Sequence, residues 1–405
     1  MLYMAYEAQT AAMAPLRMAA GLTLEGLDHL PPSLAGTTLA RLQRAWCELV
    51  VGARITHVRP DFGIDHVRVG GGFARVEERT LRRTPFARLL HLAKSQVRDE
   101  PRVLVVAPLA GHFSTLLRET VETLLADHDV YIAEWFNARD VSAEAGPFGL
   151  DDYIGHLVDF IEDMGPGVHL VAVCQPCPAT IAAVSLLAQK GSDCQPRSMT
   201  LMAGPVDTSR SPTKVNDLAT SMDLSWFETN VVTVVPPGYA GFGRRVYPGF
   251  LQLAAFASMN LGRHVNQHLE LFRSVFQGDC EKAGAIRGFY DEYFAVLDLH
   301  ADYYLETIDA VFQRRLLAEG RLTWRGIPVT PASITRTALM TIEGERDDVC
   351  GLGQTLAAHD LLSGVNPSDK AHHLQAGVGH YGVFSGRRWR QEIYPVLREF
   401  ILLHA

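Results

Sequence analysis

The chain is 405 residues long, where an ordinary domain has ~150, so two or three packing units are expected. Apolar residues make up 47% and charged residues 20%, a globular balance that excludes a disordered chain, a collagen-like chain and a coiled coil. With 37 basic and 45 acidic side chains the net charge is −8, opposite in sign to a protein that holds nucleic acid by neutralising its phosphates.

Residues 1–22 are apolar but mixed, with no basic segment ahead of an apolar run, so no signal peptide is expected. Nowhere do 18 apolar residues follow one another, so no membrane span is expected either. Cys47, Cys174, Cys177, Cys194, Cys280 and Cys350 are thinly spread; without a secretion signal they read as free thiols of a cytoplasmic protein. A helical pattern at 38–51 leads into a strand-like segment at 54–76, broken by Gly70, Gly71 and Gly72. From residue 102 short apolar runs (103–106, 129–135, 168–173, 198–203) alternate with helical patterns ending near 126, 164 and 189. That alternation indicates βαβ units and a parallel sheet covered on both faces. Beyond residue 207 it stops, giving way to long helical patterns and a Pro/Gly/aromatic loop at 234–250. Strand patterns return at 338–342 and 373–375, before a terminal helix at 389–403. The expected fold class is α/β. Its core lies in two parts, 101–206 and 336–405, with a helical cap at 207–335 and an N-terminal extension of helix and strand at 1–100.

In open α/β sheets the chemistry sits at the carboxyl ends of the strands. Leu109, Ala110, Gly111 and His112 follow the run at 103–106, and Cys174 follows 168–173. Gly344 to Asp348 follow 338–342, and Gly377 to Tyr381 follow the last strand. A thiol, a carboxylate and an imidazole thus emerge on one edge in the order nucleophile, acid, base, as in the α/β-hydrolase fold. Ala172-Val-Cys-Gln-Pro176 stands where G-x-S-x-G is expected: the small Ala172 suits a tight turn, and Pro176 suits a first helical turn. The helix N-terminus beneath Cys174 would stabilise a thiolate. Cys174 is therefore the candidate nucleophile, His380 the base and Asp347 the acid that orients it. Asp347 is preferred to Asp348 for its G-x-x-D spacing from Gly344. The Gln175 amide and that of Leu109 or Ala110 are the candidate oxyanion donors. His112 and Cys177 read as packing residues.

Cys174 and Cys177 also have the C-x-x-C spacing of a redox motif between strand and helix, but that reading leaves Asp347 and His380 without a role. His264 with His268, and His372 with His373, lack the second ligand pair of a zinc site. No metal or cofactor is expected. The Gly-rich stretches match neither a phosphate loop nor a dinucleotide fingerprint.

Four segments resemble those of the intracellular polyhydroxybutyrate (polyhydroxyalkanoate) depolymerases: Val173-Cys-Gln-Pro176, Pro108-Leu-Ala-Gly-His-Phe113, Glu343-Gly-Glu-Arg-Asp-Asp348 leading to Gly353-Gln-Thr355, and Gly377-Val-Gly-His-Tyr-Gly-Val-Phe384. The opening Met1-Leu2-Tyr3 and Thr84-Pro85-Phe86 are similar too. The resemblance implies a cysteine-dependent ester hydrolase of the α/β-hydrolase class that releases 3-hydroxybutyrate from storage polyester in the cytoplasm, associated with the polymer granule. It carries the thiol, acid and base onto Cys174, Asp347 and His380. The second thiol, Cys177, departs from the family pattern. Aromatic residues of the insertion (Trp226, Phe227, Tyr239 and Phe242, with Tyr247, Phe250 and Phe256) can bind a greasy polyester or simply form the core of the cap. The apolar start can lie on a granule, form a subunit contact or pack on the body as a helix. A polyhydroxyalkanoate synthase-like acyltransferase, thiolysis by CoA, a non-catalytic granule-binding protein and the C-x-x-C redox protein are the alternatives.

Overall fold

The computed structural model describes residues 2–96, 99–259 and 261–405; Met1, part of the resemblance at the chain start, lies outside them. The apolar runs become the centre of a nine-stranded sheet. Its strands are β1 (His66–Val69), β2 (Gly72–Arg83), β3 (Ala87–Lys94), β4 (Arg102–Val106), β5 (Asp129–Trp135), β6 (Val168–Val173), β7 (Ser198–Met202), β8 (Ala338–Gly344) and β9 (Lys370–Gln375). They lie in the order β1-β2-β3-β5-β4-β6-β7-β8-β9. The first three run antiparallel to their neighbours, and β5 to β9 are mutually parallel. This crossed order, with antiparallel strands leading into a parallel series, is the α/β-hydrolase fold.

Every residue of β6, β7 and β8 is buried, because helices cover both faces of a parallel sheet. Alternate residues serve different cores: Leu104, Val106, Leu170 and Ala172 join one apolar cluster, and Val103, Val105, Val171 and Val173 the other, as the two-residue period of a strand requires. The strands of the N-terminal region are not a separate unit. β3 pairs with β5, so β1 to β3 extend the main sheet. Antiparallel neighbours need no crossover helix, so the alternation that marks the core from residue 102 gives no sign of them. Residues 54–65 form only one bridge, Thr56 to Ala295, rather than a strand. The three glycines close a hairpin, Gly70 with φ +58° and Val69 opposite Gly72.

Helix α1 (Leu2–Asp28) and α2 (Thr38–Gly52) precede the sheet, and α3 (Arg118–Leu125), α4 (Leu150–Met164) and α5 (Cys177–Gln189) lie among its strands. Asp151 and Asp152 sit at the positive end of α4, where Asp152 accepts from the Gly149 amide at 3.0 Å. α5 is buried all round from Cys177 to Leu187, and its residues are apolar or small on every side, as an enclosed helix requires. Between β7 and β8 come α6 (Gly249–Met259), α7 (Leu261–Gln277), α8 (Cys280–Tyr293) and a small antiparallel sheet of Thr233–Val234, Arg245–Tyr247 and Leu299–His300. α2 rests on α7, with Ala45, Leu271, Val275 and Ala283 in one cluster. α1 rests on α2 and is tied at its start: buried Tyr3 donates to Asp298 at 2.8 Å. Among the described residues no helix is long and apolar enough to cross a membrane. The last helix, α9 (Tyr394–Leu403), begins later than the pattern at 389–403 predicts. Residues Trp389–Ile393 form a wider turn ahead of it. Pro395 has no amide hydrogen and its ring crowds the carbonyl four residues back.

Candidate active site

The chain turns sharply between β6 and α5, and Cys174 sits in the turn with φ +68°. A side chain in that left-handed region is strained by about 1–3 kcal/mol. Two hydrogen bonds hold it there: the Cys174 amide donates to Met202 at 2.7 Å, and the Cys177 amide donates to Cys174 at 3.2 Å. The half-buried thiol is lifted above the sheet edge at the start of α5. Small neighbours make the turn possible. A Cβ on Gly204 would stand 2.2 Å from the Cys177 sulfur and 2.8 Å from the Cys174 carbonyl. Gly204→Ala is therefore expected to cost about 1–3 kcal/mol of stability by overpacking and to slow turnover by displacing Cys174; urea unfolding and initial rates read the two effects. An unchanged unfolding midpoint would show that the turn has room.

Asp347 and His380 arrive from the ends of β8 and β9. His380 Nδ1 and Asp347 Oδ2 are 2.8 Å apart, and both side chains are buried. Asp347 Oδ1 accepts from the amides of Val349 (2.9 Å) and Cys350 (2.8 Å), so the carboxylate cannot swing away. The Cys174 sulfur stands near enough to the His380 ring to act on its charge. With Nδ1 given to Asp347, Nε2 is the ring nitrogen left for another partner. Burial by itself lowers the His380 pKa, but the Asp347 carboxylate and the Cys174 sulfur outweigh it and hold the imidazole well above its ordinary value. Cys177 and Cys350 are buried, and burial pushes both thiols well up, which leaves them protonated and inert. Asp348 lines a cavity on the far side of His380.

The loop after β4 places Leu109 and Ala110 beside Cys174 and Gln175 at one cavity. The Leu109 amide is engaged: it donates to Gln175 Oε1 at 3.4 Å, and Gln175 Nε2 donates to the Tyr303 hydroxyl at 2.5 Å. The Ala110 carbonyl accepts from Gln252 of α6, so the insertion is clamped onto this loop. His112 is buried, its pKa lowered to about 4 by that burial, and it meets the Tyr293 carbonyl at 3.1 Å; it is a neutral packing residue. His372 bonds Thr341, and His264 bonds the Tyr290 hydroxyl.

The cavity over Cys174 measures about 290 Å³. Of the four aromatic candidates, Phe227 lines it. Trp226 packs edge-on behind Phe227 at 5.3 Å. Tyr239 turns away to Glu7, 2.7 Å from its hydroxyl, with Arg139 over its ring, and Phe242 is on the surface, 57% exposed. Tyr247, Phe256, Tyr303 and Val349 are among its other walls. A second cavity of about 430 Å³ lies on the His380 side and shares Phe256 and Val349 with the first. Motif reading passed over Glu343. Buried at the end of β8, it accepts from the amides of Gly353, Thr355 and Leu356 at 3.0, 2.8 and 3.0 Å. It thereby fixes the loop that carries Asp347, and its signal was an acidic residue inside an otherwise apolar strand.

A family model described as PHB de-polymerase C-terminus matches residues 203–405. That half of the chain holds the insertion, Asp347 and His380; Cys174 lies before it. No curated protein matches the sequence. Solved structures similar to this chain include the monoacylglycerol lipase of Paleococcus ferrophilus, with 12% identity, a TM-score of 0.44 and coverage of 75% of this chain and 95% of that one. A thioesterase domain from the curacin biosynthetic pathway has 12% identity and a TM-score of 0.42 over 81% of this chain and 99% of that one. DcsB in complex with its substrate analogue has 13% identity and a TM-score of 0.47 over 82% and 99%.

Proposed function

The chain belongs to the PHB de-polymerase family of ester-type hydrolases, and from that premise we propose that it cleaves stored polyhydroxybutyrate to 3-hydroxybutyrate monomers and oligomers through Cys174, His380 and Asp347. The observation that carries this reading is the hydrogen-bonded pair of Asp347 and His380 beside a thiol raised on a strained turn.

The Cys174 sulfur attacks the ester carbonyl as its proton passes to the free nitrogen of His380. Asp347 holds the ring in the tautomer that allows this and stabilises the imidazolium. The negative oxygen of the tetrahedral intermediate is met by the Gln175 amide and an amide of the 109–110 loop. Leu109 can serve only when Gln175 Oε1 withdraws, so Ala110 is the donor that needs no such movement. His380 then protonates the departing hydroxyl, leaving the acyl group on sulfur as a thioester. Water, activated by His380 in turn, releases the acid and restores the thiol. The polymer is the partner, and the site of action is the granule surface within the cytoplasm.

Amorphous polyester granules incubated with the purified protein test this. Free 3-hydroxybutyrate and its oligomers, formed without CoA, are the expected products. Products formed only with CoA, as CoA thioesters, would make the reaction a thiolysis. Polymer growth from 3-hydroxybutyryl-CoA would make the protein a synthase.

A further inference from the structure

An apolar groove of about 600 Å³ adjoins the cavity on the His380 side. Its walls come from α2, α7 and α8, and His264, Tyr290 and Tyr293 line both spaces. A chain leaving His380 through the inner cavity therefore meets this groove next. On its rim Trp46 is 61%, Leu261 62% and Val265 50% exposed. Single exposed apolar side chains are ordinary, but a contiguous apolar strip beside a reactive centre marks a binding surface.

The chemistry of the walls narrows the occupant. Among the described residues none that carries a formal charge at neutral pH lines the groove, so it offers nothing to a phosphate, a carboxylate or an ammonium group. An aliphatic polyester has no charge and no hydrogen-bond donor, only methyl groups, methylenes and ester oxygens, and its burial in such a groove is favoured by the hydrophobic effect. A second copy of this chain would gain nothing from the groove's position against the His380 cavity. That position has a use for a substrate. The acid that protonates the leaving hydroxyl is His380, so the leaving part of a polymer lies on the His380 side, while the acyl part enters the cavity over Cys174.

We infer that the groove between α2, α7 and α8 is a distal subsite that holds the leaving segment of an aliphatic polyester strand, and that it distinguishes polymer from small esters. This rests on the polyester reading of the same site. Binding of remote substrate segments raises specificity for long substrates and leaves a short ester, which never reaches them, unaffected.

The test compares Val265→Asp and Trp46→Ala with wild type on two substrates, p-nitrophenyl butyrate and amorphous polyhydroxybutyrate. Both side chains are exposed and outside the reacting centre, and unfolding midpoints check the fold. The expected result is a kcat/KM on the small ester within about twofold of wild type, with release from polymer reduced about tenfold or more, as loss of one buried apolar side chain implies. Unchanged release from polymer in both variants overturns the inference and leaves the proposed activity intact. Equal losses on both substrates in folded protein overturn it too, because the groove then serves the centre itself. A wild-type dimer that Val265→Asp dissociates makes the groove a subunit interface. Wild-type protein that cleaves the small ester but no polyester refutes the activity from which the subsite was inferred.

Discussion

Cys174→Ala is expected to abolish release of 3-hydroxybutyrate from amorphous granules, by a factor on the order of 10⁵ or more, as removal of a nucleophile does elsewhere, while the protein still sediments with the polymer. Neither thiol nearby can take over. Cys177 points its sulfur at the Ala172 carbonyl, 3.5 Å away, and Cys350 sits at 3.6 Å from Gln354 Oε1; both are buried and held protonated by that burial. Alanine keeps the Cβ in the strained turn, so the fold is preserved and an unchanged unfolding midpoint is expected. Iodoacetamide gives the same answer chemically: activity falls as label accumulates on Cys174, read by peptide mass spectrometry. Retention of more than about a tenth of the wild-type rate in the alanine variant would remove the thiol from the mechanism.

Asp347→Asn is expected to lower turnover by about 10⁴-fold, because an amide facing Nδ1 selects the wrong imidazole tautomer. The two backbone donors from Val349 and Cys350 will still hold its oxygen, so the loss is chemical rather than structural. The pH profile carries a second signature. In wild type the carboxylate holds the His380 pKa well above its ordinary value. His380 must be unprotonated to take the thiol proton, so activity falls as pH drops through that raised pKa. With asparagine the support disappears, and the low-pH limb of residual activity moves to lower pH. Asp348→Asn should leave rate and profile within a few-fold of wild type. If Asp348→Asn proves the more damaging change, the orienting acid has been misassigned.

Much of the core was legible before any coordinates. β5, α4 and β6 begin and end where the sequence pattern places them, because a parallel strand between two helical layers must be apolar throughout and the helix between must be periodic. The thiol, carboxylate and imidazole that follow β6, β8 and β9 could be read off as soon as those strands were placed. The insertion was not legible in the same way. Trp226 and Phe227 are neighbours in one short helix, yet only Phe227 reaches the cavity. Tyr239, in a loop without periodicity, is drawn to Glu7 from the far end of the chain. Nothing local in those segments states which face turns inward.

From the sequence alone came the periods of the elements and the chain order of thiol, carboxylate and imidazole, both of them properties of neighbours along the chain. Only the tertiary structure decided four other matters. β1 to β3 join the main sheet. Gln175 occupies the Leu109 amide. Glu343 anchors the acid loop. α2, α7 and α8 leave an apolar groove beside His380. Each depends on contacts between residues tens or hundreds of positions apart, and these are selected by shape and by the need to satisfy buried polar groups, neither of which a local pattern encodes.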